Sequence, residues 1–354
     1  MTRLNKSPAY LTLYRSLVHD IVSGIYPYGS KLPSKRVLAA QTGLSVITVS
    51  HALTLLSEEG YVQSRERSGV FVTYRGEDFL GNITLSLPPL LHEDNELREI
   101  GNFPFSVLAK TMRRVLLDYG EEILTKSDNS GCPRLRDEIC LYLARSRGIT
   151  VSPAQIIVGS GAEYLYSLIA QFLGTGERIA IENPSYEKIH AVYTAMGLSC
   201  DLLTMTPEGL SSIELDCTDA IALHVTPFNS FPSGVTAGIS KKMEYLRWAK
   251  KRNRLLIEDN YDSELTVSKK MEEPLFSMEN DVQVIYLNTF SRTIAPSMRI
   301  GYMILPPSLV EPFHNKLGFY SCTVPVFEQY VLAELLKSGD FERHINRIRR
   351  QRRR

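Results

Sequence analysis

The chain has 354 residues, 44% hydrophobic and 22% charged, with a formal net charge of +1. That length exceeds one ordinary domain, and the composition excludes disordered, collagen-like and coiled-coil classes. Five scattered cysteines (Cys132, Cys140, Cys200, Cys217, Cys322) have no paired spacing, which excludes a disulfide framework and a cysteine zinc site, so no metal is expected.

No apolar leader opens the chain and no run approaches membrane-spanning length, so the expectation is a cytoplasmic protein without a membrane partner. The near-neutral total hides an uneven distribution. Residues 1–76 carry nine Lys/Arg against four Asp/Glu, and the last fifteen carry seven Arg against Asp340 and Glu342, so the middle is acidic. A basic head on an acidic body points to a nucleic-acid module joined to something else.

Apolar positions at helical spacing (Tyr10, Leu13, Tyr14, Leu17, Ile21, Ile25) predict a helix over 8–26. Ser34 is placed to cap a helix over Lys35–Thr42, stopped by Gly43. Gly43-Leu44-Ser45 then turns into a second helix over Val46–Glu59, stopped by Gly60. Two short helices joined by a glycine turn fit a helix-turn-helix. The runs 61–65 and 70–73 alternate as strands, with Arg67-Ser68-Gly69 turning between them as a wing.

Residues 31–36, 38–39, 43–45, 48–49, 52–53, 59–61 and 67–72 together resemble the GntR-type winged helix. The resemblance implies binding to a double-stranded DNA operator. Lys31, Lys35, Arg36, Arg65 and Arg67 would then neutralise phosphates. Ser45, Thr48, Ser50 and His51 would lie at or near the end of the recognition helix that reaches bases, and Gly69 would let the wing tip approach a groove. His51 has the character of a half-exposed surface residue. Val46 stands where the family often has arginine, which favours a thymine-methyl contact over guanine reading. A winged helix offers few base contacts, so a homodimer with two heads is expected.

The winged helix is assigned to 1–75 and a linker to 76–102, where charges mix with Gly76, Gly81, Pro88-Pro89 and Gly101. The body, 103–354, begins with a helix near 106–119. Strands are expected near 155–158, 178–182, 220–225, 255–258 and 284–287, and helices over 133–146, 160–173, 186–196 and 241–252. This alternation predicts an α/β domain on a mostly parallel or mixed sheet, with ligands beyond the strand carboxyl ends.

Several motifs fall at those ends. Gly159-Ser160-Gly161-Ala162-Glu163 opens a helix whose amides can hold a phosphate. Glu182-Asn183-Pro184-Ser185-Tyr186 supplies an aromatic after a strand. Asp259-Asn260-Tyr261 ends another strand, and Thr289-Phe290-Ser291-Arg292 precedes Arg299 by a fixed interval. Together with Gly131-Cys132-Pro133, this order resembles the class I/II aminotransferases, fold-type I enzymes of pyridoxal phosphate (PLP). The resemblance implies a three-layer PLP-dependent transferase-like fold and a cofactor site of Gly161, Ala162, Glu163, Tyr186, Asp259, Tyr261, Thr289, Ser291 and Arg299. In it Tyr186 would stack on the pyridine ring and Asp259 would hold the ring nitrogen. Tyr261 would bond the ring hydroxyl, and Thr289, Ser291 and Arg299 would bind the phosphate.

A winged head on such a body resembles the MocR subfamily of GntR regulators, transcription factors that look like aminotransferases, often pair head to tail, and respond to PLP or an amino compound. This chain departs from the enzyme pattern in three places. Arg292 holds the position of the cofactor-bonding lysine; a guanidinium stays protonated and cannot attack an aldehyde, so no catalytic residue is assigned and PLP would bind non-covalently. Phe231 replaces an asparagine that would contact the ring hydroxyl. The sequence stops at Arg354, on a helix that leads the family into a C-terminal subdomain, so the body reads as truncated there.

The leading expectation is a DNA-binding regulator whose body senses PLP or a small amino compound and dimerises. A working aminotransferase is the rival, but it needs a lysine amine, and Lys269 and Lys270 match no anchor motif. A third reading is a degenerate relative whose head alone functions.

Overall fold

Leu13, Leu17 and Ile21 recur every fourth residue, so one face of α1 (Ala9–Val22) turns inward, while Ile25 lies past its end and is exposed. The helix is shorter than the spacing predicts because Gly24 takes a left-handed conformation at φ +83°. α2 (Lys35–Thr42) starts at Ser34, whose Oγ accepts from the Val37 amide, and ends at Gly43, φ +67°. α3 (Val46–Glu58) starts at Ser45, whose Oγ accepts from the Thr48 amide at 3.1 Å. The α2–α3 pair bends by 116°, within the range of a helix-turn-helix. β1 (Val62–Arg65) and β2 (Gly69–Val72) pair antiparallel, with Val62 opposite Val72. Those two valines close a core with Leu32, Leu38, Val49, Ala52, Leu53 and Leu56.

This is a computed structural model, and it describes residues 8–65, 68–75, 103–266, 273–279 and 281–353. Arg67, the proposed linker 76–102, Lys269 and Lys270 lie outside the described residues. The chain forms two units, Met1–Glu93 and Asp94–Arg354. No single described helix is long and apolar enough to cross a membrane. Among the described residues, one bent pair, α2–α3, passes by length and composition, and it is part of the head's own core.

The second unit opens with α4 (Phe105–Tyr119), α5 (Pro133–Arg147), β3 (Ile156–Gly159), α6 (Ala162–Leu173), β4 (Arg178–Asn183), α7 (Glu187–Ala195), β5 (Ser199–Thr206) and β6 (Gly209–Leu210). It continues through α8 (Ser212–Cys217), β7 (Ala222–Val225), α9 (Ile239–Arg252), β8 (Leu255–Asp259), α10 (Leu275–Met278), β9 (Val284–Thr289) and β10 (Gly301–Ile304). It closes with α11 (Pro307–Leu317), α12 (Val326–Lys337) and α13 (Asp340–Arg352).

Eight strands form one mixed sheet in the order β3-β10-β9-β8-β7-β4-β5-β6. β5, β4, β7, β8 and β9 run parallel; β10 is antiparallel to both β9 and β3, so β3 shares their direction. The central strands are buried along their whole length, as expected of strands covered by helices on both faces. The arginine-rich end of the sequence is the outer side of an amphipathic helix. Phe341, His344, Ile345 and Ile348 of α13 are buried, while Arg349 Nε donates to the Glu264 carbonyl at 2.6 Å and Arg352 to the Leu265 carbonyl at 3.2 Å.

Candidate functional site

A cavity of about 330 Å³ opens beyond the carboxyl ends of the co-directional strands. β3 leads into Gly161, Ala162 and Glu163, β4 into Tyr186, and β7 into Thr226. β8 ends on Asp259 and β9 on Thr289, with Ser291, Arg292 and Arg299 following. All nine residues expected from the sequence line this one cavity. Tyr166, Ile189, Thr226 and Phe231 line it as well. Tyr166 was legible in principle, one helical turn beyond Glu163 on α6; Thr226 opens the loop that carries Phe231, and nothing in the sequence marked Ile189.

At one end, the first turn of α6 meets the Thr289–Arg299 segment. Gly161 sits at φ +94°, and a side chain there would reach Arg299 Nη2 at 3.1 Å, so the glycine keeps a cradle open. Arg299 Nη2 is 2.6 Å from Glu163 Oε2, and Lys188 Nζ is 2.9 Å from Glu163 Oε1. Burial would raise the Glu163 carboxyl, but Lys188, a backbone amide and Arg299 outweigh it and bring it down to about 2. The Ser291 amide donates to Thr289 Oγ1 at 3.2 Å, so the two hydroxyls are held together.

Asp259 closes the back of the cavity and is buried. Its Oδ1 accepts from the Tyr261 amide at 3.1 Å, and its Oδ2 accepts from the Tyr166 hydroxyl. Burial, with Asp259 second, pushes the Tyr166 phenol well up. Behind it, the Tyr193 hydroxyl is 2.8 Å from His224 Nδ1, and His224 Nε2 stands 3.7 Å from Asp259 Oδ2.

Arg292 also lines the cavity. Its Nε is 3.0 Å from Asp262 Oδ1, and its guanidinium carbon is 5.2 Å from the Tyr261 ring centre. Asp262 also accepts from Asn229 Nδ2 at 2.6 Å, and the Tyr261 hydroxyl donates to the Asn229 carbonyl at 2.9 Å. Burial pushes the Tyr261 phenol up to about 12, against the pull of Arg292.

In the head unit, the sequence-predicted residues fall into two groups. Lys31 Nζ and Arg65 flank the Phe71 ring at 6.0 and 4.8 Å, beside Gly69 at φ +114°. At the helix-turn-helix, Lys35 Nζ donates to Ser50 Oγ at 2.9 Å, and Ser45 and Thr48 share a hydroxyl contact at 2.8 Å. Arg36 and His51 are exposed, with His51 edge-on to Tyr10. Val46 and Ile47 are also exposed in the first turn of α3, and Ile47 carried no sequence signal.

Residues 9–72 match the model of bacterial regulatory proteins of the gntR family. The HTH-type transcriptional regulator YdeL of Bacillus subtilis is 33% identical, over 97% of this chain and 76% of the relative. The pyridoxine biosynthesis transcriptional regulator PdxR of Corynebacterium glutamicum is 30% identical, over 93% and 73%. The probable rhizopine catabolism regulatory protein MocR of Rhizobium meliloti is 27% identical, over 97% and 74%. This chain is a GntR-type transcriptional regulator of the MocR subfamily.

Its MocR-type body is similar to Pyrococcus horikoshii kynurenine aminotransferase, solved with PMP (TM-score 0.65, 25% identity, 71% of this chain and 65% of the enzyme). It is also similar to the α-aminoadipate aminotransferase LysN of Thermus thermophilus, solved with N-(5'-phosphopyridoxyl)-L-leucine (TM-score 0.63, 25% identity, 71% and 66%). The regulator thus spans just under two thirds of the length of these enzymes. The fold is a winged helix joined to a fold-type I aminotransferase-like α/β domain.

Proposed function

We propose that this regulator senses PLP or a related small amino compound in its aminotransferase-like body and binds operator DNA through its winged head, without turnover. The observation that carries it is the convergence of the nine expected residues on one cavity. Their chemistry fits PLP. Gly161, Ala162, Ser291, Thr289 and Arg299 form the anionic-group end. Asp259, with donors already on both oxygens, is the buried carboxylate for a ring nitrogen, and Tyr186 is the aromatic beside the ring. When bound, PLP supplies an electron-withdrawing ring, but the residue at the anchoring position here is a guanidinium, so the reading is ligand binding and not amino-group transfer.

In this reading Glu163 holds Arg299 until a phosphate displaces it. Lys31, Lys35, Arg36, Arg65 and Arg67 contact phosphates, and Ser45, Thr48, Ser50, His51 and Gly69 meet the grooves; exposed Val46 and Ile47 add apolar contacts suited to thymine methyls. The protein works in the cytoplasm as a homodimer, with domains at 1–75 and 103–354 around the linker 76–102.

The test is to dialyse the full-length chain against PLP, treat with borohydride, and measure binding to DNA upstream of its own gene with and without PLP. Expected are reversible PLP binding that Arg299→Gln weakens, no PLP mass on any lysine peptide, and a PLP-dependent, salt-sensitive DNA affinity. A reduced adduct on a lysine would instead support the enzyme reading.

A further inference from the structure

We infer that Arg292 makes the pocket selective for pyridoxyl ligands with an oxygen at the position beside the ring hydroxyl, aldehyde or alcohol, against the aminomethyl form. This rests on the PLP-pocket reading above and names the ligand class of that site.

The Arg292–Asp262 pair is oriented. Arg292 lines the cavity with its side chain 39% exposed, whereas Asp262 is 3% exposed and does not line it. Asp262 is covered on one oxygen by Arg292 and on the other by Asn229. The ligand therefore meets the cation of the pair and not the anion. The guanidinium carbon stands 5.2 Å from the Tyr261 ring centre, so the cation lies beside that ring at the cavity wall.

The other donors of that wall are used or absent. The Tyr261 hydroxyl has one proton, and it goes to the Asn229 carbonyl. Asn229 gives one side-chain N–H to Asp262 and does not line the cavity, and the Phe231 side chain has no polar atom to offer. A ligand oxygen on this wall is thus met by a charged fork of donors with no acceptor capacity. An ammonium in the same place meets like charge and finds no lone pair on the residue facing it. A lysine at 292 would lack this bias, since an amine can lose its proton and accept.

The experiment is calorimetric titration of the full-length protein with pyridoxine 5'-phosphate, which has no aldehyde, alongside PLP, pyridoxamine 5'-phosphate and inorganic phosphate. Wild type should bind pyridoxine phosphate about tenfold or more tighter than pyridoxamine phosphate, the scale of one charge-assisted hydrogen bond. Arg292→Gln should bring the two affinities together. The double variant Asp262→Asn, Arg292→Gln leaves no unpaired buried carboxylate and should do the same. Equal wild-type affinities, a preference for pyridoxamine phosphate, or a ratio that survives in both variants would overturn the selectivity while leaving the pocket reading intact. Binding of the three pyridoxyl phosphates no tighter than phosphate alone would bring down the pocket reading, and this inference with it.

Discussion

Glu182, at the end of β4, is buried, and both its oxygens are occupied: one accepts from the Thr226 amide at 2.8 Å, the other from the Ser230 hydroxyl at 2.5 Å. These bonds fasten the 226–235 loop, which carries Phe231 into the cavity. Burial nevertheless pushes the carboxyl from 4.5 up to about 7, with Asp259 adding to the rise. A raised acid favours the protonated fold. The native state keeps a proton that the unfolded chain releases between those two values, so stability falls as pH rises across that window and is flat above it. The loss should be on the order of 3 kcal/mol. Urea unfolding of the body between pH 4.5 and 7.5 should show the fall, and Glu182→Gln, which can meet both partners, should flatten most of it. Glu258, also buried and raised, leaves a residual slope of the same sign. A variant slope equal to wild type would assign the dependence elsewhere. Such couplings are not legible in sequence. Asp259 and Thr289 could be read because each sits in a run that ends a strand, and Arg299 because it follows Ser291-Arg292 at the interval of the aminotransferase pattern. The Glu163–Arg299 pair and the use of the Tyr261 proton depend on contacts between distant segments.

At the scale of elements, boundaries with a chemical stop were readable. Ser34, Gly43, Ser45 and Gly60 bracket α2 and α3, and the observed limits lie within a residue of the expected ones. Other elements gave no period. β10 is buried at all four positions and does not alternate, and β5 mixes exposed and half-buried residues around a single buried Leu203, so neither strand announced itself. In α12 most of the helix is buried, including Gln329 and Glu334, which erases the amphipathic stripe; α11 contains Pro312, which argues against a helix. The Ser45 cap allows a test of the head that separates folding from DNA contact. Ser45→Ala should lower the stability of the head by about 1 kcal/mol, because the Thr48 amide loses its acceptor. Ser45→Asp restores a capping oxygen and should recover that stability in urea unfolding, yet bind DNA more weakly than wild type, since a carboxylate faces phosphates. If Asp bound DNA as well as Ser, residue 45 would not approach the backbone.

For the whole molecule, the decisive fact is that each unit closes its own core. The head buries Leu13, Leu17, Leu38, Val49 and Leu56 around its three helices and wing. The body buries separate clusters on either side of its sheet, built on residues such as Leu335, Ile257 and Leu256. Chains with separate cores do not unfold as one two-state system. Urea unfolding followed by far-ultraviolet dichroism should therefore show two transitions, the larger unit with the steeper denaturant dependence, since that slope scales with the surface exposed. Ligands then identify the transitions. A ligand that binds only one folded unit stabilises only that unit, by about 2.7 kcal/mol at a hundredfold excess over its dissociation constant. Pyridoxine phosphate should move the steeper transition and leave the other in place, while operator DNA should do the reverse. If one ligand moved both, the units would share folding free energy, and the same measurement would give the size of the coupling by which an occupied pocket alters the grip of the head on DNA.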